Sequence, residues 1–332
     1  MKRLVVLAAS ILLCTLAQAQ GADDSGASAG ITIIPRIDYN PVFFDGQFDE
    51  ATLGNSSLYS LFEGNISDKL SFSVCNHWLS PDAKYLYQNT WSAEEVNWCD
   101  WAYLEYTPGN FVLTAGKQVV TFGGFELEEY DYDVHMHMMS ALFGSFQCYQ
   151  WGLKAGWMNS EETTGLFLQA TSSPYGEKPF DAMVYSAQYQ GYYGPVSLLY
   201  SANMMKNWDG ENVFMFSLGN QVELGDWTLQ ADFTNKVGSY DFAEIIRDGV
   251  TVFGTAKFNP SDHWEFIGRA GFEHTHNANM DNGIFGVAAH WFPLKNSRNL
   301  RIHLAGAHQH YLKMNSLTIG AMYYLNIPRK NR

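Results

Sequence analysis

Apolar and polar residues alternate along most of the chain, in segments of about ten residues. In one segment, Trp264 and Phe266 fall on one face, whereas Glu265 and Arg269 fall on the other. A period of two is that of a β-strand with one apolar face, and sixteen segments follow it. The predicted strands are 30–40, 55–64, 69–79, 97–107, 110–120, 144–157, 162–171, 181–190, 194–204, 211–222, 226–236, 246–258, 262–273, 282–293, 299–308 and 315–326.

The connections between these strands alternate in length. Those after even-numbered strands are short and rich in Asn, Gly, Pro and Asp, which favour reverse turns. Those after odd-numbered strands are mostly longer: 41–54, 80–96, 120–143, 171–180 and 238–244. Short turns on one rim and long loops on the other are typical of outer-membrane barrels. We therefore predict an all-β fold, a transmembrane antiparallel β-barrel of about 16 strands with short periplasmic turns and longer extracellular loops.

The first residues predict export of the chain. Residues 1–3 include two basic side chains, residues 4–16 form an apolar run, and Ala17 and Ala19 are small residues where a signal peptidase would cut. We predict a signal peptide over 1–19, a flexible lead over 20–29 and a single barrel domain over 30–332. No later apolar run reaches the roughly 18 residues that a helical membrane span needs. The predicted location is the outer membrane of a diderm bacterium.

Composition supports a membrane barrel. Aromatic residues make up 15% of the chain, although its mean hydropathy is slightly negative, at -0.19. Strands that are apolar only on their lipid side combine these two properties, so the predicted partner is the lipid bilayer. The formal net charge of -14 excludes nucleic-acid binding, which needs a basic face. Two alternatives stay open: a plugged structural or adhesive outer-membrane barrel, and a soluble secreted carbohydrate-binding β-protein.

The longest interruption of the strand pattern, residues 116–143, is acidic. Its carboxylates are Glu126, Glu128, Glu129, Asp131 and Asp133. A connection of this length is uncommon unless it is functional or disordered. Apolar residues such as Phe125 and Leu142 would let it pack against a wall. We predict that it folds into the lumen as the third loop and, with Lys117, forms the pore constriction; a solvated cap is the alternative.

Alternation turns further charged side chains toward the lumen. They are Arg36, Asp38, Glu105, Lys154, Asp232, Lys257, Arg269 and Arg301. An acidic loop opposite basic wall residues would produce a transverse field, and its negative potential would favour cations or neutral solutes. The predicted function is that of a porin, in which ions and small polar solutes diffuse passively through a constriction that selects by size and charge.

The loop also carries a family resemblance. Gly116-Lys117 at the end of a strand, Phe122-Gly123 and an acidic, aromatic loop resemble the phosphate-selective porin O and P family, as do Arg36 and the segment 61–64. The resemblance implies a sixteen-stranded outer-membrane porin that forms homotrimers. Family members often have Pro where this chain has Thr121, and their phosphate selectivity rests on many basic pore residues. Because the mature chain has only seven arginines, we predict the family architecture without phosphate selectivity.

Other candidate chemistry is sparse. Cys75 and Cys99 lie on consecutive predicted strands and could form a disulfide that closes loop 80–96, which spacing alone leaves open. The His-x-His pairs are His135/His137, His274/His276 and His308/His310. Two imidazoles are too few for a zinc site, so we predict no metal and no cofactor. The sequence has no Gly-x-Ser-x-Gly elbow, and we predict that the chain is not an enzyme.

Overall fold

In the computed structural model, the described residues form sixteen antiparallel strands that close into one barrel. The described residues are 28–79, 99–145, 149–174, 180–206, 212–238, 249–275 and 280–328. The strands are β1 (Ser28–Phe44), β2 (Gln47–Thr52 and Ser57–Ser67), β3 (Leu70–Leu79), β4 (Cys99–Tyr106), β5 (Phe111–Val119), β6 (Tyr149–Met158), β7 (Thr164–Ser172), β8 (Met183–Tyr193), β9 (Val196–Lys206), β10 (Asn212–Leu224), β11 (Trp227–Val237), β12 (Gly249–Ser261), β13 (Trp264–Thr275), β14 (Met280–Trp291), β15 (Leu300–Gln309) and β16 (Met314–Tyr323 and Leu325–Pro328). Each overlaps one predicted strand, so the predicted fold class and strand number are confirmed, although the predicted strand 144–157 begins only at Tyr149 because Ala141–Ser145 is helical.

The barrel closes where β1 lies between β2 and β16. Both pieces of β2 and both pieces of β16 pair with β1 in succession, so each counts as one interrupted strand. Arg36, for example, is registered with Met322 of β16 on one side and Ser57 of β2 on the other. Pairing with β16 continues to Gly30 and Pro328. The chain beyond Tyr324 therefore belongs to the wall as far as Pro328.

One predicted connection is wrong. Residues 41–54 were expected to form a long loop, but β1 continues to Phe44 and β2 begins at Gln47. Asp45 and Gly46 turn the chain with positive φ angles of 51° and 79°. Asp-Gly favours the tight hairpin turn that requires positive φ at both central residues. The local turn sequence decides this connection, and the alternation of apolar residues does not reveal it.

Side-chain exposure follows the predicted alternation. On β7, Leu168 is 67% exposed, whereas its neighbours Phe167 and Gln169 are 6% and 4% exposed. Outward side chains are mainly large and apolar, and inward side chains are mainly polar. Closure pairs the backbone of every strand with two neighbours, which is what a β-structure in hydrocarbon needs.

The described helical segments are short. A 3-10 turn spans Met136–Met138 and helix α1 spans Ala141–Ser145. No helix in the described ranges is long and apolar enough to cross a membrane. The predicted signal peptide, the predicted lead up to residue 27 and the predicted loop 80–96 lie outside the described residues, and β1 begins at Ser28.

Candidate functional site

The connection between β5 and β6 lies against inward-facing side chains of the barrel. Its described part, residues 120–145, is called the third loop below. The loop enters the lumen at Gly123 and Gly124, whose φ angles are 71° and 88°. A Cβ on Gly123 would lie 2.5 Å from Ser201 Oγ, and a Cβ on Gly219 would lie 2.8 Å from Gly124 Cα. Glycine is therefore required for the close approach of the loop backbone to β9 and β10.

Two wall carboxylates hold the loop by its backbone. Asp232 on β11 accepts hydrogen bonds from the N–H groups of Phe125 and Glu126, at 2.8 and 2.9 Å. Glu273 on β13 accepts from the N–H groups of Ala141 and Leu142, at 3.0 and 3.1 Å, at the start of α1. Hydrogen bonds to ionised groups are the stronger kind. Asp232 thus anchors the loop instead of facing open lumen, and Glu273 is an anchor that we did not select from the sequence.

Arginines of β1 and β15 hold the middle of the loop. Arg36 Nη1 donates to the carbonyl oxygens of Tyr132 and Val134, at 3.2 and 2.6 Å. Arg301 donates to the carboxylate of Asp133 and, at 3.0 Å, to its carbonyl oxygen. Both guanidinium groups are buried, so these contacts lie in a low-dielectric setting where they are strong.

A second set of ion pairs meets Glu129. Arg269 on β13 pairs with one of its carboxylate oxygens, and Lys257 Nζ on β12 lies 3.0 Å from the other. The predicted transverse field assumed that acidic and basic groups face each other across open water. The observed groups are in contact, so much of their charge is neutralised locally.

The five loop carboxylates therefore differ in role. Glu129 and Asp133 are ion-paired, and Glu126 is 5% exposed with Oε1 accepting from the Ser140 N–H at 2.6 Å. Burial raises the pKa of Glu126 to about 8. Burial and the charge of Asp100 raise the pKa of Asp131 to about 7. Within the described residues, Glu128 is the exposed loop carboxylate without an ion pair.

The two stems of the loop cover apolar residues that point into the barrel. Val120, Phe122 and Leu142 pack against inward side chains of β8, β9 and β10. The wall residues are Val184, Met205, Val213 and Met215. Apolar side chains at inward positions depart from the polar lumen expected of a barrel. This departure is the sequence signal that could have located the docking surface.

Aromatic contacts hold the other side of the loop. Tyr132 stacks on Tyr130 with ring centroids 5.2 Å apart and contacts Tyr59 of β2 at 5.4 Å. Tyr130 also lies 5.3 Å from Trp101 of β4. Because the loop also contacts side chains of β8 to β15, it is held by opposite parts of the barrel wall.

Three imidazoles meet where the loop contacts β14 and β15. His135 Nε2 lies 2.8 Å from His290 Nε2, and the His135 ring contacts His303 at 5.1 Å. His303 Nε2 lies 2.8 Å from Asp38, which also pairs with Arg36. Burial and the nearby Arg36 charge hold the pKa of His135 well below its usual range, so its ring is neutral at pH 7. The described part of the chain contains no cluster suited to a metal ion.

The loop lines a cavity on one side and carries a second group of charges on the other. The cavity, of about 260 Å³, is lined by Glu129 and Asp133 together with side chains of β12 to β15 and is called the inner cavity below. On the other side, Glu128 is near Lys154 of β6, and Tyr130 is near Glu128 and Glu63 of β2. Lys154 also lies 5.7 Å from the Phe167 ring centroid. This second group of charges, called the acidic side below, also includes Glu105, which accepts from Thr114 Oγ1 at 3.1 Å.

Lys117 is buried near the end of β5. It is 6% exposed, and its Nζ donates to the Cys99 carbonyl oxygen at 2.6 Å. Its place at the pore constriction stays a prediction.

The disulfide left open by the sequence is not formed: Cys75 and Cys99 are not bonded to each other. Cys75 is registered opposite Trp101 and Cys99 opposite Asn76, with a β-bulge between the two pairs, so the cysteines do not face each other across the ladder. Cys75 Sγ instead lies 3.8 Å from the Asp100 carboxylate.

No protein-family model matches the sequence, and no curated protein matches it. Among solved structures, the barrel resembles the outer membrane channel DcaP of Acinetobacter baumannii, with a TM-score of 0.63 and 13% identity over 92% of this chain and 99% of that one. The anion-selective porin of Comamonas acidovorans has a TM-score of 0.63 and 10% identity, covering 90% and 100% of the two chains. A trimer form of the outer membrane protein OmpT of Vibrio cholerae has a TM-score of 0.60 and 11% identity, with coverage of 90% and 100%. These likenesses show the porin-type barrel fold.

Proposed function

We propose that the protein is an outer-membrane porin through which ions and small polar solutes diffuse passively, with a preference for cations. The observation that carries the proposal is a closed barrel with an apolar outer face and a charged loop across its polar interior. Two of the similar solved structures are described as a channel and a porin, which supports the same class of function. Targeting by the predicted signal peptide 1–19 belongs to this proposal.

The acidic side of the loop sets the proposed preference for cations. Glu63, Glu105 and Glu128 line it with one basic residue, Lys154, and all four side chains are at least partly exposed. Glu128 accepts from Gln188 Nε2 at 3.4 Å and, among the described residues, forms no ion pair. A narrow passage with excess negative charge concentrates cations and repels anions.

Reversal potentials in planar bilayers test this selectivity. In a KCl gradient, we expect Glu128→Gln to lower the cation-to-anion permeability ratio about twofold, since one partly solvated charge contributes about 0.5 kcal/mol. Glu161→Gln, in the exposed turn between β6 and β7, is the matched control and should leave the ratio unchanged. Equal ratios for wild type and Glu128→Gln would contradict the proposed role of the acidic side.

A plugged barrel is the second candidate. It is favoured by the third loop contacting β2 and β4 on one side and β8 to β15 on the other. The same bilayer recordings separate the two candidates, because a plugged barrel inserts without producing conductance steps. We further propose a homotrimer as the functional unit, on the basis of the family resemblance and the trimer form of the similar Vibrio cholerae protein.

A further inference from the structure

The inner cavity is lined by charges of both signs. Its volume is about 260 Å³, roughly that of nine water molecules at about 30 Å³ each. The charged side chains that line it are Glu129, Asp133, Glu265, Lys257, Arg269 and Arg301. Met138 and Ile267 supply apolar lining. Such a space suits a solute of amino-acid size with a small apolar side chain.

The acidic and basic side chains of this cavity pair with one another, and some of them remain partly exposed to the cavity. Glu129 pairs with Lys257 and Arg269, Asp133 pairs with Arg301, and Glu265 lies 2.8 Å from His290 Nδ1. The side chains of Asp133, Lys257 and Glu265 are nevertheless 50%, 27% and 19% exposed. A simple ion of either sign would compete with a partner that is already present, whereas a solute with both charges can contact both signs at once.

We infer that the inner cavity binds a small zwitterion, a solute carrying one carboxylate and one ammonium group. The carboxylate accepts from Lys257, and the ammonium group contacts Asp133 and Glu265, the three charged side chains that are partly exposed there. Met138 and Ile267 contact the apolar side chain of the solute. This inference rests on the proposed function, because it names a class of solute that the lumen retains on its way through.

Saturation-transfer NMR on the refolded full-length barrel in detergent tests the inference without requiring conductance. The probes are L-valine, valinamide, which lacks the carboxylate, and isovalerate, which lacks the ammonium group. L-valine is expected to bind at least about fivefold more tightly than either analogue, since each loses one charge-assisted contact. Equal binding of isovalerate and L-valine would identify an anion site instead and overturn the inference, as would absence of binding by all three.

Substitutions locate the bound solute. Lys257→Gln should weaken L-valine binding about fivefold with little effect on valinamide, and Glu265→Gln should weaken L-valine with little effect on isovalerate. Lys295→Gln and Glu161→Gln make the same charge changes on exposed turns and should leave binding unchanged. Binding of L-valine that is insensitive to both cavity substitutions would place it elsewhere and refute the inference. If the barrel binds L-valine but gives no current in bilayers, the proposed porin function is refuted and the proposed zwitterion site is retained.

Discussion

At the scale of single residues, alternation placed most charged side chains on the correct face but did not identify their contacts. Arg36, Arg269 and Arg301 point inward as predicted, and each is buried against the third loop. Asp232 also points inward, yet it binds backbone amides and not mobile ions. The side of the sheet on which a side chain lies is set by its position within the strand. The group that it contacts depends on the path of a segment distant in sequence.

Glu126 makes docking of the loop dependent on pH. Its pKa is raised to about 8 from an ordinary value of 4.5, mainly by burial. Between these values the docked loop holds a proton that an undocked, solvated loop releases, so docking is complete at low pH and is lost as pH rises toward 8. From pH 7 to pH 8, where His135 is neutral in both states, Glu126 lowers the docking equilibrium about fivefold, and Asp131, whose pKa is about 7, lowers it about a further twofold.

Open-channel current noise at pH 7 and pH 8 measures this dependence. Wild type should become noisier at pH 8, and Glu126→Gln should reduce the difference to the smaller part contributed by Asp131, because the glutamine amide is neutral at both values. Glu161→Gln retains the wild-type behaviour if the proton resides on Glu126. The same rise in noise with Glu126→Gln would assign the proton to another group.

At the scale of elements, each strand pairs along its neighbours, whereas the third loop depends on contacts with many strands. Its backbone amides are bound by β11 and β13, and its carbonyl groups by β1 and β15. These contacts convert a long, acidic connection into an ordered partition of the lumen. Loops with few such contacts are the more mobile parts of proteins.

Asp232→Asn should loosen the first stem of this loop. The asparagine amide still accepts one backbone N–H through its oxygen, but its NH2 group faces the other N–H. The lost hydrogen bond costs about 2 kcal/mol and lowers the docking equilibrium constant of the loop about 30-fold. Protease added to the long-loop side should cut the loop faster in this variant than in wild type. Asp226→Asn, in the turn before β11, is the matched control. Equal cutting rates in all three proteins would show that Asp232 does not anchor the loop.

At the scale of the whole molecule, closure depends on one seam between the chain ends. β1 is registered with β16 from Phe44 and Met314 to Gly30 and Pro328. An open edge in hydrocarbon would leave backbone groups without partners, each costing several kcal/mol. The final piece of β16 therefore contributes to closure even though its four residues extend past the aromatic pair Tyr323 and Tyr324.

Deleting residues 325–332 should destabilise the closed barrel. The deletion removes four registered pairs with β1, at about 1 kcal/mol for each hydrogen bond lost. The measurement is the temperature at which the folded, faster-migrating form disappears on an SDS gel. Deleting 329–332 alone removes none of the described pairs and should leave that temperature unchanged. If both deletions behave alike, the Leu325–Pro328 piece contributes nothing to closure.

The amino-acid sequence by itself determined the barrel: its sixteen strands, its short turns and the face of nearly every side chain. Alternation and turn residues are local, so each strand carries its own signal regardless of its neighbours. The hairpin at Asp45-Gly46 is likewise encoded by a local turn signal. Only the tertiary structure decided what the lumen contains. Contacts such as Arg301–Asp133 join residues 168 positions apart, and they exist because Gly123 and Gly124 turn the loop inward toward groups that complement it. The alternation within strands does not encode the path of the third loop. The positions of the charged residues on the inner face could therefore be predicted from the sequence, but their ion pairs could not.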